Sequence, residues 1–210
     1  MKKVIRARVT FILVLINVLV FIPAIILLSK FPDWIALKPA NILRGKFLWT
    51  IITSMFVHGG FFHLIANMIS LIFLGSFLER LIGWKRFLFI YFVSGLVADA
   101  AFILFSLFIK SEANVYAVGA SGAIFGIAAV IMFLTPKLKV FVFPIPIAMP
   151  IYIALFIALF GLWAISLVAG LPIGNTAHLG GFIAGICYGS FLRFKYKRKV
   201  ALINRYLGIS

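Results

Sequence analysis

Long apolar runs separated by short basic segments are the feature of this sequence that most restricts its fold. A helix needs about 20 residues to cross the hydrocarbon core of a bilayer. The runs lie at about residues 9–28, 61–79, 87–108, 120–134, 150–169 and 176–192. They are continuous and do not alternate at every second residue, which excludes a transmembrane barrel. We therefore predict an all-α membrane protein with six transmembrane helices.

The composition agrees with a single membrane domain. Of the 210 residues, 65% are hydrophobic and 11% are charged. A soluble domain of this length could not keep so much apolar surface away from water. The prediction is one domain over residues 1–210, with a core at about 9–192 and a basic cytoplasmic tail at 193–210.

The net charge of +16 has two readings, nucleic-acid binding and membrane topology. The Lys and Arg residues lie at the ends of the apolar runs, which favours topology, since cytoplasmic loops are enriched in these residues. With the N-terminus inside, the inner segments hold 15 Lys and Arg residues and the outer segments hold 5. We predict that both termini are cytoplasmic, in a multi-pass protein of the cell membrane that binds no nucleic acid.

Few polar side chains fall within the predicted spans, and such residues are candidates for function because they are costly in a membrane. His63 and Asn67 begin the second span, Ser121 begins the fourth, and His178 begins the sixth. Even-numbered spans run from outside to inside in the predicted topology. These groups are therefore expected at a similar depth. Asp99, in the third span, is expected to pack or to form a hydrogen bond.

Glycines recur at every fourth residue in two of these spans. They are Gly122 and Gly126 in the fourth span and Gly181, Gly185 and Gly189 in the sixth. Such spacing makes a flat strip on which two helices can approach closely. Ser121 precedes the first strip and His178 precedes the second. If the two strips face each other, the hydroxyl and the imidazole come within hydrogen-bonding distance.

Ser121 and His178 have the chemistry of a nucleophile and its base. A serine hydroxyl needs a nearby base to remove its proton, and histidine can do so near neutral pH. Ser121 lies at a helix N-terminus, where free N–H groups favour negative charge. His63 and Asn67 share a helix face and could donate hydrogen bonds to the same oxyanion. No acidic residue lies near His178 in sequence, so a dyad is expected and not a triad.

These residues resemble the rhomboid family of intramembrane serine proteases over about residues 10–192. The similar motifs are Gly119-Ala120-Ser121-Gly122, His58-Gly59-Gly60 before His63 and Asn67, Ala177-His178 before Gly181 and Gly185, and the run of Gly75, Glu79, Gly83, Arg86 and Phe87. The resemblance implies the six-helix rhomboid core. It also implies hydrolysis of peptide bonds in or near the transmembrane helices of substrate proteins, without a cofactor.

The resemblance also assigns roles to individual residues. It implies a Ser121 nucleophile, a His178 general base, and an oxyanion hole formed by His63, Asn67 and the Ser121 backbone N–H. Phe125 matches an aromatic residue that packs on the catalytic imidazole. The supporting residues are Gly119, Gly122, Phe125, Gly181 and His58, the last with a structural hydrogen bond as its expected role.

Three other functions agree less well with the sequence. His58 and His63 are five residues apart with no acidic or cysteine ligand at metal-binding spacing, so no metal site is expected. A catalytically inactive rhomboid-like protein that binds membrane helices is the alternative function, although such relatives usually lack the serine or the histidine. A channel or transporter is disfavoured because the spans show no internal duplication.

Overall fold

The computed structural model describes residues 7–27, 32–142, 145–170 and 174–209, and the chain in these ranges is mainly helical. The helices are α1 (Arg8–Leu27), α2 (Pro39–Ile42), α3 (Thr50–Thr53), α4 (Phe61–Ser70), α5 (Ser76–Ile82), α6 (Trp84–Ser106), α7 (Ser121–Leu134), α8 (Ile151–Ala169), α9 (Asn175–Lys195) and α10 (Lys197–Tyr206). Short 3₁₀ turns occur at Ser54–Phe56 and Lys110–Asn114, and a π-helical turn at Leu71–Gly75 joins α4 to α5.

The long helices coincide with the apolar runs of the sequence. Among the described residues, three helical segments are long and apolar enough to cross a membrane: Phe61–Ile82, Trp84–Ser106 and Ile151–Ala169. The first and fourth runs contain the shorter apolar helices Arg8–Ala24 and Ser121–Leu134. The sixth run forms α9, whose 21 residues include polar side chains in the first turn and several glycines. The chain is thus a bundle of apolar helices.

The connection between α7 and α8 departs from an all-α fold. It contains two antiparallel strands, β1 (Lys139–Val142) and β2 (Ile145–Pro150), which pair Val140 with Met149. Four prolines exclude a helix here, because proline lacks the N–H that a helix interior needs. The sequence thus predicted a break in the helix. It did not predict a hairpin.

Helix α7 lies at the centre of the bundle and packs closely on α9. Ten of its 14 residues are buried. A Cβ atom placed on Gly181 would overlap the carbonyl oxygen of Gly122, and one placed on Gly185 would overlap that of Gly126. The two glycine strips therefore face each other, at a distance that only glycine allows. On its other side, Gly126 leaves no room for a Cβ beside Ser94 of α6.

Two hydrogen-bonded contacts fix the end of the bundle where α7 terminates. The buried carboxylate of Glu79 in α5 accepts hydrogen bonds from the backbone N–H groups of Val9 and Thr10, at 3.0 and 2.8 Å, and from the Thr10 hydroxyl at 2.7 Å. It thus satisfies free donors at the start of α1. Asn204 of α10 donates to the carbonyl of Leu134, the last residue of α7, at 2.8 Å.

Replacing Gly185 by alanine tests the close packing of α7 on α9. The new methyl group would overlap backbone atoms of Gly126, so the two helices must move apart. Overpacking of this kind lowers the free energy of unfolding by about 1–3 kcal/mol. We expect a lower midpoint of thermal unfolding in detergent. The control is Gly161→Ala in α8, where nothing lies within 4 Å of the added Cβ. Equal midpoints for the two variants would contradict the packing described above.

Candidate active site

Ser121 and His178 meet where α7 and α9 begin. Ser121 is the first residue of α7, and His178 lies in the first turn of α9. The Ser121 Oγ atom lies 2.8 Å from His178 Nε2, which is hydrogen-bonding distance. Gly122 directly follows Ser121, and Gly181 lies three residues after His178. The contact between these two glycines brings the two helix ends together. The structure therefore unites the two residues that the sequence predicted to be nucleophile and base.

The surroundings of His178 orient its ring. The ring of Phe125, one turn after Ser121, lies on the imidazole with a centroid separation of 4.8 Å and an interplanar angle of 31°. His178 is 8% exposed, and its Nδ1 atom has no hydrogen-bond partner among the described residues. No carboxylate in the described part of the chain thus completes a triad. With a proton on Nδ1, the Nε2 lone pair faces the serine hydroxyl.

His63 presents an N–H group beside the same helix end. The backbone N–H of Gly59 donates to His63 Nδ1 at 3.3 Å. Because a backbone N–H can only donate, Nδ1 is the acceptor, and in a neutral ring the proton is on Nε2. Nε2 lies next to Gly119, two residues before Ser121: a Cβ built on Gly119 would be 2.8 Å from it. His63 thus directs a donor toward the start of α7.

Asn67 lies one turn after His63 on the same face of α4. One N–H of its amide donates to the His63 carbonyl oxygen at 2.8 Å, and the side chain is buried. Its Nδ2 atom is 3.9 Å from a Cβ built on Gly119. Since an amide nitrogen carries two protons, the second N–H can serve another acceptor. His63 and Asn67 therefore place two donors on the same side of Gly119.

Gly119 is held by a polar chain that sequence reasoning missed. Its N–H donates to the Ser54 carbonyl oxygen at 2.9 Å, and the Ser54 hydroxyl donates to Asp99 Oδ2 at 3.2 Å. Asp99 had been predicted to pack or to form a hydrogen bond. Ser54 carried no signal in the sequence, because a serine in a connecting segment is common. The backbone of Gly119 has a φ of +113°, which favours glycine.

His58 lies behind His63. It is 2% exposed, and its ring centroid is 5.2 Å from that of His63 with an interplanar angle of 64°. Burial, reinforced by the neighbouring His63, lowers the pKa of His58 to about 4, so the ring is neutral at neutral pH. Within the described ranges, no three His, Cys, Asp or Glu side chains are grouped so that they could hold a metal ion.

The loop before α7 is bound to the first long connection of the chain. The Ala117 N–H donates to the Leu37 carbonyl oxygen at 2.8 Å, and the Tyr116 hydroxyl donates to Asp33 Oδ1 at 2.6 Å. The hydrogen bond from Tyr116 holds the pKa of Asp33 below its usual value. The two hydrogen bonds therefore hold the loop before α7 against the first long connection.

Gly119→Ala tests whether this loop positions the donors around Ser121. The added methyl group meets the His63 ring, and alanine disfavours a φ of +113°, so His63 must move. A displacement of about 1 Å near a reacting group can cost about 10²-fold in rate. We expect labelling of Ser121 by a fluorophosphonate probe to slow by about that factor.

The matched control for this experiment is Gly60→Ala, where nothing lies within 4 Å of the added Cβ. It should label at the rate of the unmodified chain. Thermal unfolding of both variants shows whether the fold persists. A Gly119→Ala protein that folds and labels at the unmodified rate would show that the position of this loop does not matter.

The sequence of this chain also matches the model of a known protein family. A model of the Rhomboid domain matches residues 46–195. Similar proteins include RHOMBOID-like protein 2 of Arabidopsis thaliana, 39% identical over 146 residues, which are 69% of this chain and 42% of the relative. Inactive RHOMBOID-like protein 8 of Arabidopsis thaliana is 35% identical over 150 residues, 70% of this chain and 39% of the relative.

A bacterial relative is also similar. The putative rhomboid protease YdcA of Bacillus subtilis (strain 168) is 36% identical over 86 residues, 41% of each chain. The chain spans about two fifths of the length of these curated relatives. One of these relatives is named a putative protease and another is named inactive.

Proposed function

This chain belongs to the rhomboid family, and we propose that it is an intramembrane serine endopeptidase that cuts peptide bonds in or near the transmembrane helices of other membrane proteins. Family membership implies a multi-pass helical membrane protein. The observation that carries the proposal is the 2.8 Å distance from Ser121 Oγ to His178 Nε2. This is the geometry that a nucleophile and its general base need.

The proposed reaction begins when His178 Nε2 takes the proton of the Ser121 hydroxyl. The Ser121 oxygen then bonds to the carbonyl carbon of the substrate, whose oxygen becomes the oxyanion. As the carbon–nitrogen bond breaks, His178 gives its proton to the leaving amine and an acyl-enzyme remains. His178 then takes a proton from a water molecule, whose oxygen bonds to the ester carbon. As the bond from that carbon to Ser121 Oγ breaks, His178 returns the proton to Ser121 and the carboxylic acid leaves. Atoms and charge balance without a cofactor.

The oxyanion in this reaction would be stabilised by three donors. They are the Nε2–H group of His63, the second N–H of Asn67 and the backbone N–H of Ser121, which is free because it starts α7. Oriented donors in a site shielded from bulk water stabilise developing charge strongly, since they need not reorganise during the reaction. The Phe125 ring would keep the His178 imidazole in plane for both proton transfers.

The proposed topology has six spans with both termini in the cytoplasm of a cell, in one domain. Helix α7 has 14 residues, about 21 Å at 1.5 Å per residue, against a hydrocarbon core of about 30 Å. A helix this short can start below the membrane surface, where water can reach Ser121 from outside. Ser121 is partly exposed, in agreement with such access.

A catalytically inactive binder of membrane helices is the second candidate, because one similar protein is named inactive. The presence of both Ser121 and His178, at hydrogen-bonding distance, favours the protease. An inactive binder has no need for that contact. The two candidates give opposite results in the first experiment below.

Ser121→Ala and His178→Ala should each abolish cleavage of a model substrate with one transmembrane span. The first removes the nucleophile and the second removes its base, so the loss should reach several orders of magnitude. Cleavage in proteoliposomes is followed by gel electrophoresis. Ser190→Ala, in the last third of α9, is the control and should cut normally. Cleavage by the Ser121→Ala protein at the unmodified rate would exclude this mechanism.

Asn67→Ala tests the oxyanion donors separately from stability. We expect kcat to fall by about 10²–10³, as for the loss of one such donor elsewhere. The control is Asn17→Ala, because Asn17 is also buried and also donates to the carbonyl four residues earlier in its helix, at 2.7 Å. Both variants should lose similar stability, but Asn17→Ala should keep its kcat. A parallel fall in both would assign Asn67 a structural role only.

A further inference from the structure

A second cluster of polar groups lies at the end of the bundle opposite Ser121, around the side chain of Tyr196. The guanidinium of Arg86 lies 5.2 Å from the centroid of the Tyr196 ring, and the ammonium groups of Lys195 and Lys199 lie 5.9 and 5.6 Å from it. Arg86 also donates to the Tyr196 hydroxyl at 2.9 Å. Three cations from α6, α9 and α10 thus converge on one aromatic ring.

Among the residues that the structure describes, no carboxylate pairs with these cations. The chain has four acidic residues. Glu79 is occupied by the start of α1, Asp99 by Ser54, and Asp33 by Tyr116. Glu112 lies in the loop before α7, far along the bundle from Tyr196. Within the described ranges, the one ion pair joins Lys38 to Asp33. An anion from outside the chain would offset the repulsion between the three cations.

A cleft adjoins this cluster. Its volume is about 130 Å³. Arg86, Tyr196 and Lys199 contribute its polar lining, and the remaining lining residues are aliphatic: Leu81, Ile82, Leu134, Leu192, Val200 and Ile203. These side chains come from the ends of α5, α7 and α9 and from α10. The cleft thus joins positive charge to an apolar wall.

The position of the cleft in the molecule indicates the chemical class of anion that would bind there. The cleft lies at the ends of membrane-embedded helices. Trp84, half-exposed and with Lys85 Nζ 5.5 Å from its ring, starts α6 beside it. Trp and Lys together are typical of the level of lipid headgroups. Helix α10 also exposes Leu202 and Tyr206 next to its basic side chains, as interfacial helices do. A molecule with an anionic head and an apolar tail fits both parts of the lining.

We propose that this cleft is a binding site for an anionic phospholipid. The phosphate lies between Arg86 and Lys199, and an acyl chain lies along the aliphatic side chains of the cleft. Basic pockets between helices at a membrane surface bind phosphorylated lipid headgroups in this manner. Since the site joins α6, α9 and α10, bound lipid would hold α10 against the core. The proposal is independent of the chemistry at Ser121.

The test measures lipid binding to the purified full-length chain in detergent by native mass spectrometry and by thermal unfolding. The probe is dioleoylphosphatidylglycerol, and dioleoylphosphatidylcholine, with the same acyl chains and no net charge, is the lipid control. We expect only the anionic lipid to stay bound and to raise the unfolding midpoint. Arg86→Gln and Lys199→Gln should each weaken its binding about fivefold.

The variant control is Lys46→Gln, which removes a charge from the opposite end of the molecule and should leave binding unchanged. The two site variants are on different helices, so misfolding of one leaves the other as a test. Equal retention of the two lipids, or equal binding by Lys46→Gln and Lys199→Gln proteins, would overturn the proposal. So would an equal rise in midpoint with inorganic phosphate, which would indicate a simple anion site.

The lipid experiment is repeated with the Ser121→Ala protein, which should bind phosphatidylglycerol as the unmodified chain does. If the unmodified chain binds the lipid but cuts no substrate, the proposed lipid site stands and the proposed protease activity is refuted. If it cuts substrate but does not distinguish the two lipids, the protease activity stands and the lipid site is refuted.

Discussion

The close approach of α7 and α9 is the constraint on which the rest of the molecule depends. Between apolar helices in lipid there is no hydrophobic driving force, so contact has to come from van der Waals packing of small residues. Gly122 and Gly126 provide that surface on α7, and Gly181 and Gly185 provide it on α9. The same contact sets the separation of Ser121 and His178. The close packing of α7 on α9 and the short distance between Ser121 and His178 therefore both depend on glycines, which have no side chain.

Much of this arrangement could be predicted from the sequence, because its determinants are local or periodic. Hydropathy placed the apolar helices within a few residues of the observed bounds, since length and apolarity are what a bilayer selects. Glycine spacing predicted facing strips on α7 and α9. The positions of Ser121, His178, His63 and Asn67 at the starts of spans predicted that they would be near one another, as they are in the structure.

The remaining features depend on contacts between distant parts of the chain, which periodicity does not encode. Ser54 supports Gly119 through its backbone carbonyl oxygen. Because every residue has such an oxygen, the sequence does not indicate which one accepts this hydrogen bond. Glu79 binds the start of α1, about 70 residues earlier in the chain. The pairing of β1 with β2 depends on hydrogen bonds between two strands, and the prolines indicated only that a helix had to end.

Of the three helices outside the segment that matches the family, α1 and α10 are both bound at the end of the bundle away from Ser121. Glu79 attaches one and Leu134 attaches the other through its carbonyl oxygen. These contacts join α1, α5, α7 and α10 at that end, and α8 is the least buried of the three long apolar helices. This end of the molecule is therefore held together by contacts between segments that are far apart in the chain.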